Sequence, residues 1–147
     1  MSAKLAAVRT VPTSFESEQI RGKIKQIDLT LARQKMMKQL GWTQEKCDQI
    51  ETEYKAFIYL NYVHPQKTLV PSHDVDQMWH AHILQTRKYQ KDCMDNLGFF
   101  MHHTPYDGTN RITQEDREFT RDAYNSLSIS YDMPAECSGD TTCDSGN

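Results

Sequence analysis

Apolar residues recur at intervals of three and four along most of the chain, and breaks in that rhythm mark the ends of helices. Leu29, Ala32, Met36 and Leu40 form one stripe over 27–40, and Gly41 stands where a C-cap belongs. Thr43 caps the next helix, in which Cys47, Ile50, Tyr54, Phe57 and Asn61 repeat while Ile58 and Tyr62 widen the face. That helix ends near 62, because His64-Pro65 pushes the chain out of the helical region. Ser72 opens another, with Asp74 and Asp76 in the positive field of its first turn. Its periodicity runs on to Asn96 or Leu97 before Gly98 stops it. Thr113, with Asp116 three residues later, starts a last helix whose inner face is Phe119, Ala123, Tyr124 and Leu127. A weaker helical stretch, 17–26, is interrupted by Gly22.

No convincing strand is present. The pattern predicts an all-α fold, a compact bundle of about four to five helices with a long central helix. Residues 1–15 read as a flexible arm and 16–130 as a single helical domain. Residues 131–147 read as a flexible, disordered tail, acidic and carrying Cys137 and Cys143.

Composition narrows the function classes. A chain of 147 residues with 37% hydrophobic and 25% charged content closes one core of moderate size. No apolar run is long enough for a membrane span or a signal-peptide core, so a cytoplasmic protein without membrane contact is the expectation. The net charge of −3 is spread through mixed segments such as TRKYQKDCMD, which gives no basic face for nucleic acid. Cys47 and Cys93 sit in helical patterns and read as packed thiols, while the spacing of Cys137 and Cys143 matches no common zinc motif.

The candidate chemistry lies in VDQMWHAHILQTRKYQKDC, residues 75–93. His80 and His82 are two positions apart and point about 160° away from each other on a helix, so the pair is not a chelate. Asp76 shares a face with His80 at i, i+4. His82 lines up with Met78, Trp79, Tyr89 and Cys93, an apolar stripe, and points inward. A core histidine bonded to a buried carbonyl, hydroxyl or carboxylate is the plainest role for His82; acid–base chemistry, with Tyr89 walling the pocket, is the alternative.

A metal site would take Asp76 and His80 from the helix and His102 or His103 from the segment after Gly98. Two histidines, a carboxylate and an open position suit zinc or non-haem iron. Reach is the difficulty. His80 lies about 27 Å from Gly98 along one straight helix, whereas four or five extended residues return about 14–17 Å. The set closes only if the helix bends or ends early.

Val75, Asp76, Trp79, His80 and His82, then Tyr89, Asp92 and Cys93, then Gly98, His102, His103, Pro105 and Tyr106 form a long motif. It resembles the glycine-rich domain-containing protein-like family. The resemblance implies a helical domain in which Asp76, Trp79, His80, His82, His102 and His103 belong to one constellation, and it brings no settled reaction. The chain departs from the family's glycine-rich region, having only six glycines.

Two functions follow from these expectations. One is a small helical metal-binding protein, a metal-dependent enzyme on a small molecule or peptide, with Asp76, His80, His102 and His103 as ligands. The other is a non-catalytic helical protein-interaction module in which the same side chains form a buried structural network.

Overall fold

The computed structural model describes residues 8–104 and 111–134. The sequence-stretches 1–7, 105–110 and 135–147, with Pro105, Tyr106, Cys137 and Cys143, lie outside the described residues. Among the described residues the chain forms six helices and no strand: α1 (Ser14–Lys25), α2 (Thr30–Leu40), α3 (Gln44–Val63), α4 (His73–Ile83), α5 (Thr86–Leu97) and α6 (Gln114–Ser126).

Four of the helix starts rest on a hydroxyl. Thr13, Thr43, Ser72 and Thr113 each stand in extended backbone and accept a bond from an N–H in the first turn. Thr13 and Thr113 complete capping boxes with Glu16 and Asp116. The box at Thr13 moves the start of α1 to residue 14, ahead of the expected 17. Gly41 and Gly98 take the left-handed conformation, at φ 66° and 78°, and end α2 and α5.

Helix α3 is the centre of the bundle, in contact with α1, α2, α4 and α6. It therefore buries more than one stripe: Cys47, Ile50, Glu53, Tyr54, Ala56, Phe57, Ile58 and Leu60 are all buried. Leu29, Ala32 and Met36 join the core as expected, but Leu40, at the last turn of α2, is 49% exposed. Helix α6 is fastened to α3 by Tyr124, whose hydroxyl donates to the Glu53 carbonyl at 2.9 Å. Thr120 accepts from the Val70 N–H at 3.0 Å, which ties α6 to the connection before α4.

The helix expected to run from Ser72 to Gly98 is two helices. Gln85, at φ −82° and ψ 67°, leaves the helical region, and α5 starts again at Thr86. Neither glycine nor proline stands at this break, so local sequence does not force it. Tertiary contacts do: in one straight helix His82 and Asp92 would lie about 15 Å apart, yet their side chains meet at 2.8 Å. Folding α5 back on α4 also turns the segment after Gly98 toward α4, which removes the reach problem.

Among the described residues no helix is long and apolar enough to cross a membrane.

Candidate functional site

Helix α4 presents the motif residues on two faces. Val75, Met78, Trp79, Ala81 and His82 are buried, whereas Asp76 and His80 are half-buried on the other side. The opposition read from the two-residue spacing is therefore present, and each face builds a different structure.

His82 is 1% exposed and sits at the meeting point of α3, α4 and α5. Its Nδ1 is 2.8 Å from the Tyr54 hydroxyl and its Nε2 is 2.8 Å from Asp92 Oδ2. The same carboxylate oxygen accepts from Lys88 Nζ at 2.6 Å, one turn earlier on α5. The ring edges of Tyr54 and Tyr89 close the remaining sides, at centroid distances of 5.8 and 4.9 Å. Burial pushes the imidazole below its usual value, while the hydrogen bond to Asp92 and its negative charge push back. Burial also holds the Tyr54 hydroxyl well above the usual phenol value, so it keeps its proton. A neutral ring then has one consistent assignment. Tyr54 O–H donates to Nδ1, and Nε2–H donates to the Asp92 carboxylate.

Tyr89 forms the second link between α4 and α5. Its hydroxyl accepts from Trp79 Nε1 at 3.0 Å and donates to the Met101 carbonyl in the segment after α5. Burial raises Tyr89 far above the usual phenol value. Tyr89, expected as a pocket wall beside His82, makes a two-way hydrogen-bond bridge. Cys93, beside it, is a buried free thiol whose ionisation burial opposes, as is Cys47.

The polar face carries the other pair. His103 Nε2 lies 2.7 Å from Asp76 Oδ1, and its ring packs on Trp79 with centroids 4.4 Å apart. Their side chains are 24% and 23% exposed. The hydrogen bond to Asp76 holds His103 above the usual imidazole value, with burial opposing. His80 faces His103 at a centroid distance of 6.4 Å, while His102 is turned away, exposed and edge-on to Phe100 at 4.7 Å. Asp76 thus meets His103 across the fold, and among the described residues it has no hydrogen bond to His80. No group of three or more His, Cys, Asp or Glu side chains among the described residues is placed to hold a metal ion. The expected zinc or iron set of Asp76, His80, His102 and His103 is not assembled there. Asp76 and His103 instead form a salt bridge between α4 and the return segment.

Two partners of His82 had no role assigned from sequence. Asp92 stood within the motif, but a straight helix put it out of range. Tyr54 stood on the core stripe, where a buried tyrosine must find a partner for its hydroxyl. That requirement was the available signal.

Three helices converging on a hydrogen-bonded imidazole, with a histidine–aspartate pair fastening the return segment, define an all-α domain stapled through its histidines. The chain belongs to the UCP032817-like family, whose model matches residues 23–130. This corrects the expectation drawn from the tryptophan–histidine motif, since the matching family is not the glycine-rich domain-containing protein-like one. The match spans α2 to α6 and brings no activity with it. No curated protein and no solved structure matches the chain.

Proposed function

We propose that this protein is a non-catalytic helical interaction module in which the histidine motif fixes the packing of α4, α5 and the return segment. The observation that carries the reading is the engagement of both ring nitrogens of His82 inside the fold at 1% exposure. A catalytic imidazole needs one nitrogen free to reach a substrate. A ligand imidazole needs one free to reach a metal. The pair of Asp76 and His103 supports the same reading, because each satisfies the other across two parts of the chain. A protein or peptide partner would then meet the half-exposed surface formed by Asp76, His80 and His103 beside Trp79.

Metal analysis of protein purified without a histidine tag tests this. Substoichiometric zinc, iron, copper and manganese, with a melting temperature unchanged by chelator, are the expected results. One equivalent of bound metal, with melting lowered by its removal, would replace the module by a metal-binding protein.

A further inference from the structure

The bridge from Tyr54 through His82 to Asp92 joins three helices through one titratable ring. We propose that this bridge is an acid-sensitive latch, in which a proton taken up by His82 releases α5 from α3 and α4. As regulation of the module it rests on the reading above. The latch itself is a property of the free chain.

The geometry makes the ring's two states unequal. In the neutral ring every partner is satisfied: Tyr54 O–H has Nδ1 as acceptor, and Asp92 has Nε2–H and the Lys88 ammonium as donors. A proton from solvent on Nδ1 converts that nitrogen to a donor aimed at the Tyr54 oxygen. Tyr54 keeps its own hydrogen and must turn it away from the ring. Tyr54 is 0% exposed, so the displaced hydrogen meets no water. A hydroxyl without an acceptor and a charge without solvent then sit together in the core.

The surroundings offer one compensating charge. From α3 the ring faces Tyr54, and from α5 it faces Lys88, Tyr89, Asp92 and Cys93. The buried side chains of α2 are Ala32 and Met36, which do not titrate. Ile27, Ile58, Leu97 and Met101 complete the walls of a narrow apolar crevice around the ring. Asp92 favours the imidazolium, but Lys88 at 2.6 Å already neutralises it and repels a second cation.

The direction of the response follows. His82 is pushed below the usual imidazole value of 6.5 in the fold, so the folded chain holds fewer protons than the open one. The latch is fully closed above that value and weakens as pH falls toward the folded value. The pair of Asp76 and His103 runs the other way, since His103 is raised and the pair persists in acid. Acid therefore loosens α5 while Asp76 still holds the far end of the return segment.

Amide hydrogen exchange of the free protein reads this directly, with rates corrected for the intrinsic effect of pH. Protection of α5 (86–97) is expected to fall by up to about tenfold per pH unit below about pH 6.5, while the α2–α3 core keeps its protection. His82→Gln, which cannot titrate, is expected to abolish that pH dependence. Asp92→Asn removes the compensating charge and is expected to steepen it, which keeps the test open should the glutamine variant not fold. Protection of α5 that stays flat in the wild type, or falls equally in His82→Gln, overturns the latch. No partner or metal enters the experiment, so its failure is separate from failure of the module reading, which the metal analysis decides.

Discussion

Replacing His82 with alanine is expected to destabilise the fold by about 3–5 kcal/mol at neutral pH. Two effects add. The Tyr54 hydroxyl, fully buried, loses its acceptor, which costs about 1–3 kcal/mol. The vacated imidazole volume leaves a void between α3, α4 and α5, since the surrounding side chains relax only in part. Asp92 is less affected, because it is partly exposed and retains Lys88. Native domains are stable by only about 5–15 kcal/mol, so much of the total is at stake. Urea unfolding measures it, and a loss below about 1 kcal/mol would show that the network contributes little to packing.

Tyr89→Phe is the second large effect. The ring stays and only one oxygen is lost, yet that oxygen serves two buried groups. Without it Trp79 Nε1–H has no acceptor and the Met101 carbonyl loses a donor. A loss of about 2–4 kcal/mol is expected, since two groups are left unsatisfied rather than one. Trp79 fluorescence should shift as well, because its indole N–H changes environment. Unchanged urea unfolding and unchanged emission would mean that the hydroxyl is dispensable, and with it the tie between α4 and the return segment.

Both variants touch the part of the molecule that sequence periodicity described least well. Helix existence, the caps at Thr43, Ser72 and Thr113, and the stops at Gly41 and Gly98 follow from local chemistry and were legible. So was the inward face of His82, which follows from its spacing to Met78 and Trp79 on α4. The turn at Gln85 was not legible, because nothing in ILQTR breaks a helix. It exists because Tyr54, on a helix nearly thirty residues earlier, and Asp92 draw His82 into a common contact. That one turn decides which side chains meet across α4 and α5. With α4 and α5 read as a single rod, Asp92 falls out of range of His82, and Asp76 and His80 reach His102 or His103 only if the helix bends or ends early.

The two histidine–aspartate pairs also differ in a way spacing cannot express. Both have a carboxylate within 2.8 Å of a ring nitrogen. His103 is about a quarter exposed, and the carboxylate dominates, so it is raised. His82 is enclosed, and desolvation dominates, so it is lowered. Burial decides the sign.

The protonation state and tautomer of His82 test the structural role of the motif most directly. Nitrogen-15 NMR of the histidine side chains reads both. The expected result at neutral pH is a neutral ring carrying its hydrogen on Nε2, with Nδ1 accepting a hydrogen bond. A ring with its hydrogen on Nδ1, a shift characteristic of metal ligation, or titration at the value of an exposed histidine would contradict it.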